Sequence, residues 1–292
     1  MELYIGKLCG FCAGVNRTIY SAEDLLNQTN ENIYCLGEII HNERVINKLE
    51  GKGMITVESI NEIPARSKVI FRAHGEAEHV YKEAEAKDLE IIDLTCVKVA
   101  DVHHKVENAK NDSFIIIIGK KSHPETIGTL GYAGPNSYVI ESEEDFDNLQ
   151  EAFNNSKLNK VYIVAQTTFN DSLFAEYVEK INGLLDAEIE VVNTICAATR
   201  MRQQEARLLA ACVNKMIIIG GKHSSNTKEL ATVAETKCKD IYLVQELEDL
   251  MSVNFNENDK VGITAGASTP KESIEEIVNY LKKNYNAEEI KW

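Results

Sequence analysis

The feature that most constrains this chain is a pattern that occurs three times. Cys12, Cys96 and Cys196 each follow a short extended run (3–5, 91–93 and 190–192), and each is followed at once by a helical pattern. Each helix leads to an apolar run that ends in glycine and then a polar cluster. The clusters are Gly37-Glu38-Ile39-Ile40-His41-Asn42, Gly119-Lys120-Lys121-Ser122-His123-Pro124-Glu125 and Gly220-Gly221-Lys222-His223-Ser224-Ser225-Asn226. From cysteine to cluster the offsets are 29 (His41), 27 (His123) and 28 (Ser224). A second apolar run ends in another polar tip: Arg72-Ala73-His74-Gly75, Gln166-Thr167-Thr168 and Ala265-Gly266-Ala267-Ser268. Those offsets are 62 (His74), 71 (Thr167) and 72 (Ser268).

A length of 292 residues alone suggests two domains of typical size. The repeat replaces that with three diverged copies of one unit of roughly 90 residues. Runs at 69–71, 114–118, 161–164, 216–219 and 261–264 read as buried strands, and 18–26, 97–109 and 199–211 read as helices. Their alternation predicts an α/β fold with mostly parallel sheets. We expect units at 13–96, 97–195 and 196–280, with 1–12 packing on the third and 281–292 as a C-terminal tail. In such sheets ligands bind beyond the carboxyl ends of strands, where the cysteines and polar tips fall.

Composition narrows the function. Thirty-one basic against 46 acidic residues give a formal charge of −15, which argues against general affinity for nucleic acid or anionic lipid. The longest aliphatic runs are far shorter than the roughly 20 apolar residues a spanning helix needs. The N-terminus lacks a basic stretch followed by a long apolar one. Seven cysteines are too sparse, and odd in number, for a disulfide scaffold. A reduced, cytoplasmic setting is expected, where a cysteine is a small core residue or part of a site.

Three equivalent cysteines at helix starts suggest one metal centre on a pseudo-threefold axis. Three thiolates fall short of the four ligands of a structural zinc site. They can hold a [4Fe-4S] cluster by three irons and leave the fourth open to a substrate oxygen. Taken singly, each reads more readily as a buried core residue. Cys9-Gly10-Phe11-Cys12 also has the spacing of a redox dithiol; we favour Cys12 as the ligand. Cys35, Cys212 and Cys238 read as core.

The tips carry the donors His41, His74, Ser224, Ser225, Asn226 and Ser268, which suit phosphate oxygens if they converge. Glu125 in a closed cavity suits proton delivery, and Thr167 could extend a relay. His79, His103 and His104 fall in helical patterns expected to face solvent.

The ordered motifs Gly10-Phe11-Cys12-Ala13-Gly14-Val15, Glu38-Ile39-Ile40-His41-Asn42, Ala73-His74-Gly75, Asp93-Leu94-Thr95-Cys96, His123-Pro124-Glu125, Gln166-Thr167-Thr168, Asn193-Thr194-Ile195-Cys196, Ser224-Ser225-Asn226 and Thr264-Ala265-Gly266-Ala267-Ser268 together resemble the 4-hydroxy-3-methylbut-2-enyl diphosphate reductase family. The resemblance implies three α/β units arranged pseudo-threefold around a central iron–sulfur cluster, one [4Fe-4S] per chain, held by Cys12, Cys96 and Cys196. It implies diphosphate binding by His41, His74, His123, Ser224, Ser225, Asn226 and Ser268. Thr167 would meet the substrate hydroxyl and Glu125 would supply protons. An electron carrier such as ferredoxin or flavodoxin is implied as partner. Departures are Val97 after Cys96, the Lys120-Lys121 pair, Glu76 after His74-Gly75, and the extra thiol of Cys9. Two other readings stay open: a cluster enzyme resembling quinolinate synthase, which calls for more basic residues at the tips, and a non-enzymatic metal- or redox-sensing protein.

Overall fold

Phe114–Ile118 is buried at every position. A strand can be apolar on both faces only where helices cover the sheet on both sides, as in parallel α/β sheets. The computed structural model describes residues 1–29 and 31–292. From the N-terminus, β1 (Glu2–Ile5) leads into α1 (Ala13–Gln28). There follow β2 (Ile33–Leu36), α2 (Glu43–Glu50), β3 (Met54–Val57), β4 (Lys68–Phe71), α3 (Glu78–Ala86) and β5 (Glu90–Asp93). Next come α4 (Val97–Ala109), β6 (Phe114–Ile118), α5 (Pro124–Ala133), β7 (Ser137–Ile140), α6 (Leu149–Ser156), β8 (Lys160–Ala165), α7 (Asp171–Leu184) and β9 (Glu188–Val191). The chain closes with α8 (Ala197–Ala210), β10 (Lys215–Ile219), α9 (Ser225–Glu235), β11 (Asp240–Val244), β12 (Lys260–Ala265), α10 (Lys271–Tyr285) and β13 (Glu288–Ile290).

The strands form three sheets, ordered β3-β2-β4-β5, β7-β6-β8-β9 and β11-β10-β12-β1-β13. Among the described residues every strand pairing is parallel. The first two sheets share one order. The third repeats it with β1 in the place of β5 and β9, and β13 added at its edge. Leu3 pairs with Val261 on one side and Glu289 on the other. The three-sheet α/β architecture expected from the repeat is therefore present.

Residues 17–40 and 46–196 form one compact unit, which holds both four-stranded sheets. In its second sheet Ile116 and Ile118 pack with Ile163, Phe174 and Ile181, while Ile115 and Ile117 pack with Val102, Val106 and Val164. Alternate residues of one strand thus feed two cores, as the two-residue period of a strand requires. Each such isoleucine contributes about 1.5–3 kcal/mol when fully buried. Residues 1–16, 41–45 and 197–292 form the other unit, built on the five-stranded sheet. There Ile217 and Ile219 join Leu3, Val261, Ile277 and Leu281, while Met216 and Ile218 join Leu209 and Leu230. Trp292 donates its indole N–H to the Ile5 carbonyl at 2.8 Å.

Two expectations are corrected. Cys212 is exposed, whereas Cys35 and Cys238 are core as anticipated. Cys212 lies past the end of α8, beyond the buried stripe that the helical pattern extrapolated to it. His103 is buried, not solvated: α4 turns it inward with Val99, Val102 and Val106.

Candidate functional site

Cys12, Cys96 and Cys196 hold matching places in the backbone. The amide of Cys12 donates to the Ala267 carbonyl at 3.1 Å, that of Cys96 to Ala73 at 3.0 Å and that of Cys196 to Thr167 at 3.0 Å. Each acceptor is the second residue beyond a strand end, because β12, β4 and β8 finish at Ala265, Phe71 and Ala165. Each cysteine is the last residue before a helix, α1, α4 or α8. Every one of these thiols is half-buried. None of the three helices has an acidic residue in its first turn, so no carboxylate competes for the positive helix end. Val15 also donates its amide to Cys12 Sγ at 3.4 Å. Three half-buried thiols in equivalent places at helix starts, and no fourth equivalent cysteine, fit a cluster that keeps one iron free of protein ligands.

Cys9 behaves differently. Its thiol donates to the Ile263 carbonyl at 3.8 Å, and burial, reinforced by the nearby Glu205 carboxylate, pushes its pKa up to about 11. A thiol held neutral in this way does not suit a redox dithiol pair.

Glu125 is the second residue of α5 and only 2% exposed. It meets the tip beyond β8: Thr167 donates its amide to Oε1 at 2.5 Å and its hydroxyl to Oε2 at 2.7 Å. Burial pushes the Glu125 pKa up to about 7, against the pull of those two bonds. A carboxyl group with that value holds its proton near neutral pH and can still release it. His123 caps the same helix, its Nδ1 accepting the Glu125 amide at 3.1 Å. The hydrogen of the neutral ring therefore sits on Nε2. The rings of His74 and His123 meet edge to face with centroids 5.4 Å apart.

The His74 turn is fixed from behind. Gly75 has φ +73°, and a β-carbon there would lie 2.6 Å from His103 Cε1. His103 stacks on Tyr132 at 4.6 Å, and burial pushes its pKa down to about 4, so the ring is neutral. Arg72 and Glu76 bridge the turn with an ion pair at 3.0 Å, and the guanidinium lies where a side chain at Gly37 would stand. Glu76, a departure from the family pattern, is thus partnered within the chain.

The other compact unit carries a separate donor group. Ser224 caps α9, its hydroxyl accepting the Thr227 amide at 3.3 Å. Ser225 and Asn226 occupy the buried first turn of that helix, and Ser268 is buried beyond β12. Both amide atoms of Asn226 and the hydroxyl of Ser268 are buried without a hydrogen-bond partner. Each such group costs about 1–3 kcal/mol, so a fold keeps it only for a polar ligand or another role. The backbone of His41 lies on Gly221, where a β-carbon would collide with the His41 carbonyl. His41 therefore lies beside the loop that leads to Ser224.

Several other lysines are paired with carboxylates. Lys121 pairs with Asp145, Lys105 with Asp101 and Lys110 with Glu107. Sequence reasoning missed Arg202 and Glu205, which are buried in α8. The available signal was their position on the stripe of Thr199, Ala206 and Leu209, where charged residues do not belong without partners.

A family model described as LytB protein matches residues 3–282. A 4-hydroxy-3-methylbut-2-enyl diphosphate reductase of Clostridioides difficile is 42% identical over 284 residues, covering 97% of this chain and 99% of its own length. The protein of the same name from Caldanaerobacter subterraneus subsp. tengcongensis is 38% identical over 286 residues, covering 97% of each. A solved structure of the E-1-hydroxy-2-methyl-but-2-enyl-4-diphosphate reductase from Plasmodium falciparum matches with a TM-score of 0.87 at 32% identity. That match covers 99% of this chain and 91% of the other.

Proposed function

This chain belongs to the LytB family, and we propose that it reduces (E)-4-hydroxy-3-methylbut-2-enyl diphosphate to isopentenyl diphosphate and dimethylallyl diphosphate. This is the last step of the methylerythritol phosphate route to isoprenoids. Two electrons and two protons enter, the allylic C–O bond breaks, and the hydroxyl oxygen leaves as water. The observation that carries the reading is the shared backbone position of Cys12, Cys96 and Cys196, three thiols each set between a strand tip and a helix start. These residues would hold one [4Fe-4S] cluster per chain, each standing at a boundary of the units 13–96, 97–195 and 196–280. Such a cluster, when bound, supplies electrons and an iron able to take an oxygen ligand.

The remaining chemistry belongs to side chains. His41, His74, His123, Ser224, Ser225, Asn226 and Ser268 would anchor the diphosphate. Ser224 uses a lone pair to cap α9, which leaves its hydrogen to donate. His123 likewise accepts on Nδ1 and can donate from Nε2. Thr167 would meet the substrate hydroxyl. At 2.7 Å its own hydroxyl can pass a proton to the departing oxygen and take one from Glu125. Glu125 is the proton source, and its burial keeps bulk water away from the transfer.

Electrons would arrive from a small carrier such as ferredoxin or flavodoxin. Seven free cysteines suit a reducing cytoplasm. The quinolinate-synthase-like and non-enzymatic readings find no support among the relatives. Anaerobic purification, iron and sulfide analysis and Mössbauer spectra, followed by turnover with a strong reductant, test the proposal. Both isomeric products and one inequivalent iron are expected. An intact cluster with no reductive loss of the hydroxyl would refute it.

A further inference from the structure

The loop from Gly6 to Cys12 joins β1 to α1 and has no regular secondary structure. Two charged side chains of α8, unused by the reaction, hold it. Glu205 accepts the Lys7 amide on Oε1 at 2.8 Å and the Leu8 amide on Oε2 at 3.0 Å. Arg202, about one turn earlier, donates from Nη2 to the Gly10 carbonyl at 2.9 Å and from Nη1 to Ala198 at 3.2 Å. Both side chains are more than nine-tenths buried. A buried charge is tolerated only where strong partners surround it. Here those partners are largely the backbone of this one loop. The fit is close: a β-carbon at Gly6 would lie 2.8 Å from Glu205 Oε2, and Gly10 has φ +96°.

We infer that Arg202 and Glu205 are positioning residues for Cys12, fixing the Gly6–Gly10 backbone so that the thiol stands ready at the start of α1 before iron arrives. The inference rests on the proposed role of Cys12 as a cluster ligand. A loose loop would spread the sulfur over many positions, and each binding event would have to order it. The two ends of the loop are already tied, by the Gly6 amide to Ile263 and by the Cys12 amide to Ala267. The α8 pair ties the remainder, so the thiol has one place to be.

The test uses Glu205→Gln, Arg202→Lys and, as a control, Leu281→Ala. Gln offers one acceptor to two amide donors. Lys keeps the charge but cannot serve both carbonyls with a planar fork. Leu281 is fully buried in the core of the same unit, and its side chain cannot hydrogen-bond the loop backbone. Hydrogen exchange at the Lys7 and Leu8 amides is followed in the iron-loaded protein, together with the rate of cluster loss to a chelator. Exchange at those amides should rise on the order of tenfold in Glu205→Gln. Cluster loss should quicken about tenfold in both loop variants. The control, compared at equal distance below its own melting temperature, should keep its cluster as the parent protein does.

Parental loop exchange and cluster lifetime in both variants would overturn the inference, as would equally fast loss in the control. Cys12→Ser separately tests the reading beneath it. An unchanged iron content and Mössbauer spectrum there would remove Cys12 as a ligand, whatever the loop amides do.

Discussion

The hydroxyl and the amide of Thr167 converge on a single carboxyl group, that of Glu125, at 2.7 and 2.5 Å. The residues are 42 positions apart, yet they form one acid–hydroxyl unit in the interior. Burial favours the neutral acid and the two hydrogen bonds favour the carboxylate. Burial wins, and the group titrates within the working range of a proton donor.

Glu125→Gln keeps the shape and one acceptor but cannot release an acidic proton. Turnover should fall by about 10²–10⁴-fold, the usual contribution of a positioned acid. Iron content and diphosphate affinity should hold. Single-turnover kinetics of the reduced enzyme give the answer, and a rate close to the parent's would take Glu125 out of proton delivery.

The pH dependence has a definite sign. The protonated acid is the active form, so kcat/KM should decline as pH rises through about 7. Stability follows the same group. Its folded pKa lies above its unfolded one, so the stabilisation is complete below the ordinary glutamate value and is lost as pH climbs through about 7. Thermal melts of the parent and of Glu125→Gln should therefore draw apart at low pH and together at high pH. A constant gap across that window would contradict the raised value.

Replacement of Cys12, Cys96 or Cys196 by serine should each abolish an intact four-iron cluster. Cys9→Ser should leave it in place, since that thiol is engaged with Ile263 and held neutral. Iron and sulfide counts on anaerobically purified protein distinguish the four variants. Equal loss in Cys9→Ser would reassign the ligand set.

Asn226→Leu should separate stability from binding. The amide is buried with neither polar atom paired, so an apolar group of like volume should leave the melting temperature unchanged or raise it. The KM for the diphosphate should increase about tenfold or more through loss of that donor. A lowered melting temperature with unaltered KM would show that Asn226 serves the fold instead.

Much of the architecture was legible because its signals are local. The helix expected at 97–109 and the strand at 114–118 match α4 and β6 residue for residue. Charged burial was not legible in the same way. Glu76, Arg202 and Glu205 lie in stretches that read as ordinary polar sequence; Glu76 is buried against Arg72 within its own turn, and Arg202 and Glu205 are buried because a distant backbone partners them. His103 misled for the opposite reason: its helix face is set by what packs on α4, and His103 and His104 are one helical position apart with opposite exposure.

By itself, the order of residues determined the threefold rhythm, the strand and helix identities, and the placement of cysteines and polar groups at strand tips. Periodicity and turn chemistry act over a few residues and are written along the chain. Only the folded molecule decided that β1 enters the sheet beside β12, and that Thr167 meets Glu125. It alone decided that α8 grips the loop before Cys12. Those contacts join residues distant in the chain, and they form only when the buried area of the whole assembly offsets the entropy of bringing them together.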